Sequence, residues 1–212
     1  MLDIISAIRK VCELENGFEN LFKDSKLTEL RKYTNDNKSL NLLSKLLFGN
    51  ARENLIELIN DVYHYEEILD LIITDLEMDD LSTDEANEAI DIFLKTFGFP
   101  GYRKYILNPI TKFVSYDKNN FKSIYEGETK NSKEYGIGTR YNYYEGESCG
   151  WDECVWINGK MFGYCHSLDI EFGSYKTKKY GFVVNDTYVG NYMNVYEDGE
   201  EGYMHGVKLN LE

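Results

Sequence analysis

Four side chains in the second half of the sequence could ligate a metal ion or act as nucleophiles. Cys149, Cys154, Cys165 and His166 have the types and number of a Cys₃His zinc site. Cysteines in zinc knuckles are usually paired more closely than Cys149 and Cys154, and the adjacent Cys165 and His166 would point to opposite faces of a strand. We therefore predict that the cysteines are reduced thiols, either buried or without a chemical role. We also predict that they form no metal site and that the protein is not a cysteine protease.

Pairs of carboxylates in the same region could form a glycosidase dyad. Glu145 and Glu147 are one such pair, and Asp152 and Glu153 are another. The chain has 37 Asp and Glu residues, so such pairs arise by chance, and solvent-facing acids on strands are the favoured interpretation. There is also no glycine-rich phosphate loop and no Gly-x-Ser-x-Gly motif. The sequence therefore predicts a protein that is not an enzyme and uses no cofactor.

The charge is strongly negative and unevenly spread. The net charge is -14 over 212 residues, and residues 1–100 carry 10 Lys and Arg against 21 Asp and Glu. Such a surface repels phosphate backbones and anionic lipid, which excludes direct nucleic-acid binding and favours a basic protein partner or a simple solvated face. The sequence has no apolar run long enough to predict a membrane span. At the N-terminus an acid precedes the short apolar run and the basic residues follow it, which is the wrong order for a secretory signal. Four cysteines are too few for a disulfide-rich protein, so we predict a cytoplasmic location.

The composition changes near residue 100. Of 18 tyrosines, 15 lie beyond that point, and Pro100 and Pro109 stand at the join. Proline disfavours helix at the residue that precedes it. We predict an α+β protein with a helical domain over 1–99, a connector over 100–120 and an antiparallel β domain over 121–212.

The first half shows helical periodicity throughout, which predicts five or six short helices packed as a bundle. The clearest helix begins at Ser82, which has capping-box spacing to Glu85. Its apolar side chains share one face and are Ala86, Ile90, Phe93 and Phe97. This half, through its final stretch "EANEAIDIFLKTFGF", resembles the small helical domains fused to varied effectors in bacterial conflict and signalling proteins.

The second half repeats a two-part pattern. Tyr-Glu-Gly at 125–127 and again at 144–146 precedes an aromatic residue next to glycine, and looser copies begin at Glu171 and Tyr188. In a strand the tyrosine and glycine of each copy share one face, so the glycine leaves room for a ring or a neighbouring backbone. Each copy is predicted to form a hairpin, and successive hairpins stack into a continuous meander.

This pattern resembles that of MORN-repeat proteins. Residues 125–139 match the Tyr-x-Gly, lysine-bearing turn and Gly-x-Gly of that family, and the resemblance extends over about 124–207. It implies a role in protein association. The second and fourth copies carry extra residues, which we expect to form longer loops, and Asn158-Gly159 predicts a tight hairpin turn in the second.

The segment "SCGWDECVW" is the predicted partner-binding loop. It contains both tryptophans, and tryptophan is enriched in binding hot spots. The candidate contact residues are Trp151, Asp152, Glu153, Trp156 and Tyr143. Trp151 is the preferred contact, whereas Trp156 beside the tight turn is also expected to pack in the core.

Three functions follow from these residues. The first is a non-enzymatic adaptor in which each domain engages a protein, with homodimerisation through a sheet edge as a further expectation. The second is an acidic mimic of nucleic acid that inhibits a basic protein such as a nuclease. Its acidic run consists of Asp75, Glu77, Asp79, Asp80, Asp84 and Glu85. The third and least favoured function is that of a hydrolase. Separately, the frequent Asn, Lys, Ile and Tyr residues suggest that the protein comes from a low-GC bacterium or its phage.

Overall fold

A computed structural model describes residues 1–61, 64–101, 110–116, 120–170 and 176–207. The chain divides into two compact units, one containing Met1–Phe97 and the other Gly98–Val207. The described helices are α1 Ile4–Cys12, α2 Gly17–Lys23, α3 Thr28–Arg31, α4 Asn37–Phe48, α5 Arg52–Asn60, α6 Tyr65–Met78 and α7 Thr83–Phe97. The described part of the chain thus has seven helices where five or six were predicted, because the short helix α2 was not recognised in the sequence.

Helix α7 forms for the reasons visible in its sequence. The Ser82 backbone N–H donates to Glu85 Oε2 at 3.0 Å, and the Glu85 N–H donates to Ser82 Oγ at 3.3 Å, which is the reciprocal capping predicted. The predicted apolar face is buried, and Phe97 packs edge-on against Phe18 at 5.5 Å between ring centroids. The strongest helical signal in the sequence is therefore confirmed in its cap and its core face.

Arg9 is a core residue that periodicity does not reveal. Its side chain is completely buried, and Nε donates to the Thr96 carbonyl at 3.2 Å while Nη2 donates to the Lys95 carbonyl at 3.4 Å. These carbonyls lie in the last turn of α7, where backbone acceptors lack helical partners and a cation is favoured by the helix dipole. Arg9 thereby holds the C-terminal end of α7 against α1.

The second unit contains one antiparallel sheet in which every strand pairs with its sequence neighbours. Its strands are β1 Ile110–Tyr116, β2 Phe121–Lys130, β3 Lys133–Tyr144, β4 Glu147–Ile157, β5 Lys160–Ile170, β6 Lys176–Val184, β7 Thr187–Tyr196 and β8 Glu201–His205. The predicted class, a helical bundle followed by an antiparallel β-meander, is confirmed. β1 lies inside the stretch predicted as a connector, while Pro109 falls outside the described residues.

Six of the eight described strands form three equivalent hairpins, β2–β3, β4–β5 and β6–β7, that repeat at a constant interval of 27 residues. Gly136, Gly163 and Gly190 all adopt positive φ angles, of 68°, 74° and 64°. The register shifts in the same way around each of them, as in a β-bulge. The turns recur at the same interval, with Asn131, Asn158 and Asn185 also at positive φ. These left-handed asparagines start tight turns of the type that suits a twisted hairpin.

This interval corrects the predicted phasing of the repeats. Glu145 and Gly146 lie in the turn between β3 and β4, and do not open a strand. The extra residues of the second copy are not a loop, because "SCGWDECVW" forms most of β4. Tyr188 lies on the returning strand of the third hairpin, and the looser copy at Glu171–Tyr175 falls outside the described residues. The tight turn predicted at Asn158-Gly159 is confirmed.

Glycine makes room for an aromatic ring in the first hairpin. Gly127 and Gly138 lie opposite each other on β2 and β3, and the ring of Tyr125 covers both. A Cβ on Gly138 would come within 2.7 Å of Tyr125 Cε2 and closer still to its hydroxyl. The buried Tyr125 Oη instead donates to the Glu128 carbonyl at 2.8 Å.

We expect Gly138→Ala to lower the free energy of unfolding by about 1–3 kcal/mol, since a methyl group must displace a buried ring. Denaturant unfolding followed by circular dichroism measures it. The same substitution should cost less in a Tyr125→Leu background, where the ring is gone. Strictly additive costs would show that the ring and the glycine are not coupled.

Candidate functional site

The five residues predicted to bind a partner do not form one surface, because they lie on opposite faces of the sheet. We call the two sides the Tyr125 face and the Trp151 face. Asp152 and Trp156 lie on the Tyr125 face, where Asp152 is paired in register with Arg140 and Trp156 meets the Tyr125 ring edge-on at 5.8 Å. Trp151, Glu153 and Tyr143 lie on the Trp151 face, since alternate residues of a strand point to opposite sides.

Trp156 is a core residue and is removed from the partner-binding set. Its side chain is completely buried, and Nε1 donates to the Gly138 carbonyl at 2.9 Å. The Arg140 guanidinium lies 4.1 Å from the centre of the ring, a geometry in which the cation is attracted to the aromatic face. Trp156 therefore supports the sheet and does not contact another protein from this position.

Cys154 and Cys165 are joined by a disulfide between β4 and β5. The prediction that all four thiols are reduced is therefore wrong for this pair, while Cys12 and Cys149 are free. The set considered for zinc cannot form, because two of its members are bonded to each other. Across the described ranges, no group of three or more His, Cys, Asp and Glu side chains is arranged to hold a metal ion.

Polar side chains form a connected row on the Tyr125 face. Asn142 Nδ2 donates to Asp152 Oδ2 at 3.0 Å, and the hydroxyls of Ser167 and Tyr188 lie 3.2 Å apart. Burial raises the pKa of Asp152 above its usual value, although hydrogen bonds from Ser167 and Asn142 oppose the shift. Burial likewise raises the pKa of Tyr188 to about 12. The row is hydrogen-bonded within itself, as buried polar groups require, and we assign it to the support of the sheet.

The raised pKa of Asp152 predicts a pH-dependent effect of Asp152→Asn. The folded protein holds the proton of Asp152 more tightly than the unfolded chain, so stability falls as pH rises from the unfolded pKa through the folded one. The variant lacks this loss. We expect its free energy of unfolding, relative to wild type, to increase from pH 3 to pH 7 in urea unfolding. A constant difference between the two proteins would show that the carboxyl is not perturbed.

The Trp151 face carries a half-buried row of aromatic side chains, which we call the aromatic ladder. It consists of Tyr141, Trp151, His166 and Tyr180, on the four successive strands β3 to β6. Trp151 lies directly opposite Tyr141 and packs edge-on against His166 at 4.6 Å between centroids. His166 stacks on Tyr180 at 4.4 Å with an interplanar angle of 16°. Trp151 is thus a strand residue in the middle of the sheet, and not the loop residue that was predicted.

Apolar side chains extend the ladder toward both edges of the sheet. Ile124 pairs with Tyr141 on one side, and Met193 pairs with Tyr180 on the other. Beyond them lie Val114 on β1 and Tyr203 on β8, with 45% and 53% of their surfaces exposed. The row therefore crosses all eight strands. A row of apolar side chains that continues across a whole sheet is a candidate for an interaction surface.

Charged side chains flank the aromatic ladder. Glu153 Oε2 lies 3.9 Å from His166 Nδ1, and Lys122 Nζ lies 5.6 Å from the centre of the Tyr143 ring. Lys112 and Glu126 form an ion pair at 3.4 Å. An aromatic centre with a polar rim is the common anatomy of protein interfaces. Glu153 and Tyr143 thus belong to the margin of the surface whose centre is Trp151.

The two units define the chain as an α+β protein with a repeated hairpin sheet. No protein-family model matches the chain, and no curated protein is significantly similar to it. The helices of the described segments are all too short or too polar to cross a bilayer.

Proposed function

We propose that the chain is a non-enzymatic protein-binding adaptor whose β unit contacts its partner through the aromatic ladder. The stacked and edge-on contacts of Trp151, His166 and Tyr180 carry this proposal. Rings held by their neighbours lose little conformational freedom on binding, and half-buried tryptophan and tyrosine dominate interface energetics. Because the ladder lies on paired strands, its shape is set before the partner arrives. The resemblance to MORN repeats supports the same role.

The experiment is affinity capture from the source cells followed by mass spectrometry. Wild type is compared with Trp151→Ala and with Tyr196→Ala, which removes an exposed tyrosine outside the ladder. We expect at least one protein to be captured by wild type and Tyr196→Ala and lost with Trp151→Ala. With that protein purified, titration calorimetry should show Trp151→Ala weakening binding by about tenfold or more.

Two results would overturn the proposal. One is a purified partner that binds Trp151→Ala and Tyr180→Ala as tightly as wild type. The other is equal loss of binding with Tyr196→Ala, which would show that the loss is not specific to the aromatic ladder. Circular dichroism of each variant establishes that it is folded before binding is measured.

A nucleic-acid mimic is the alternative function, and the structure gives it less support. Four of the six acids of its proposed run have internal hydrogen-bond partners. Asp75 accepts from Asn54, Glu77 from Thr83, Asp79 from Asn50 and Glu85 from Ser82. These carboxylates hold α6 and α7 in place, so the run is not an evenly spaced set of phosphate substitutes. The mimic predicts a steep loss of affinity with salt, whereas the aromatic ladder predicts a weak dependence.

Homodimerisation and cellular location are further parts of the proposal. β1 and β8 are the terminal strands of the described sheet, and a terminal strand can pair with a second copy; sedimentation equilibrium tests this. The low cysteine number favours a cytoplasmic location, whereas the Cys154–Cys165 bond favours an oxidising compartment. The location can be tested by blocking free thiols while the protein is isolated from its cells and counting them. Four free thiols would indicate the cytoplasm, and two would indicate an oxidising compartment.

A further inference from the structure

Helix α6 has an outer face that combines exposed apolar side chains with carboxylates. Its inner face is buried through Ile68, Ile72 and Leu76, which follow one another at four-residue spacing. On the opposite side, Leu71 is 52% exposed and Met78 is 67% exposed. These two residues are seven positions apart, so they lie on the same side of the helix, two turns from each other.

The charge of α6 is negative and uniform in sign. Its 14 residues contain Glu66, Glu67, Asp70, Asp75 and Glu77 and neither lysine nor arginine. Carboxylates near a helix C-terminus are repelled by the helix dipole, so the last turn places acids where they weaken the helix. The Asp75 and Glu77 hydrogen bonds described above offset this cost. Glu67 and Asp70, by contrast, are exposed beside Leu71.

We propose that the outer face of α6, formed by Glu67, Asp70, Leu71 and Met78, binds a basic amphipathic helix of another protein. The uniform negative charge selects a cationic partner and disfavours a second copy of this chain, since two such faces repel each other. Nucleic acid and anionic lipid are excluded in the same way. Leu71 and Met78 supply two apolar contacts on one side of α6, two turns apart, onto which a partner helix can pack, and methionine adapts to varied partners.

The partner helix carries apolar residues at i, i+3, i+4 and i+7, with lysine or arginine on either side. Such a helix places its apolar stripe on Leu71 and Met78 and its cations on Glu67 and Asp70. This site lies on the helical unit and does not involve the aromatic ladder. An adaptor needs two binding surfaces, which here would be the aromatic ladder and the outer face of α6. The two are tested by separate experiments, so a negative result for one does not affect the other.

The test uses the full chain and a synthetic helical peptide of about 18 residues, built from leucine at those positions and lysine elsewhere. Fluorescence anisotropy measures its Kd at low and physiological salt. We expect Leu71→Gln/Met78→Gln to weaken binding about tenfold or more, and Glu67→Gln/Asp70→Asn to weaken it about threefold to tenfold with a shallower salt dependence. A matching peptide with glutamine in place of leucine should bind at least about tenfold more weakly.

Matched controls separate the α6 face from the general acidity of the unit. Glu53→Gln/Glu57→Gln removes two exposed acids from α5, and Leu2→Gln/Leu14→Gln removes two exposed leucines elsewhere. Both should bind the peptide within about twofold of wild type. The proposal is overturned if these controls weaken binding as much as the α6 variants, if the glutamine peptide binds equally well, or if the leucine peptide does not bind.

Discussion

Replacement of Trp156 by alanine is expected to lower the free energy of unfolding by about 3–5 kcal/mol. The substitution removes a fully buried ring, its hydrogen bond to the Gly138 carbonyl and the stacking surface of Arg140. The neighbours of Trp156 are on paired strands that cannot collapse into the space, so most of the cavity is expected to persist. Urea unfolding followed by circular dichroism measures the loss.

Trp151→Ala is the matched control, because it removes the same side chain from the half-buried face. We expect it to cost about 1 kcal/mol or less in stability while it weakens partner binding by about tenfold or more. Similar losses of stability for the two variants would contradict the assignment of one tryptophan to the core and the other to a surface. The comparison therefore tests the separation of the two faces on which the adaptor proposal depends.

The helical half could be predicted well because its signals are local. The Ser82–Glu85 cap and the apolar face of α7 depend on spacings of three and four residues, and the structure has both. Arg9 could not be predicted, because its role requires α1 and the end of α7 to meet across almost the whole unit. The short helix α3 was expected from Leu27 and Leu30, whereas α2 was missed because a helix of two turns has too few residues to show a period.

The sheet was predicted in kind but not in phase. Tyr125 and its two glycines match the predicted mechanism, in which a ring fills the space that a missing Cβ leaves. The error came from aligning copies by Tyr-x-Gly, which placed Trp151 in a loop. Aligning the turns would have corrected it, because Asn131, Asn158 and Asn185 recur at a constant interval in the sequence. A shift of one residue in a strand reverses which side chains face the core. The alignment of the repeats therefore determines which residues are assigned to the candidate binding surface.

The same interval explains the position of the disulfide. Cys154 and Cys165 occupy in the second hairpin the places that Gly127 and Gly138 occupy in the first. Asp152 occupies in the second hairpin the place of Tyr125, so the ring that covers the two glycines has no counterpart at that position, and two sulfur atoms lie there instead. This disulfide could be predicted only if the pairing of β4 with β5 was known. That pairing in turn required the repeats to be aligned correctly in the sequence.

Reduction of the Cys154–Cys165 bond is expected to lower the free energy of unfolding by about 3 kcal/mol. The bond spans a sequence separation of 11 residues, and closing a loop of about that size restricts the unfolded chain by an amount in this range. Chemical unfolding with and without a thiol reductant measures the difference. Cys149→Ala should respond to the reductant as wild type does, whereas Cys154→Ala/Cys165→Ala should show no response. A wild-type protein that titrates four thiols and unfolds identically in both conditions would show that the two sulfurs only pack together, and the core of the second hairpin would then be held by burial alone.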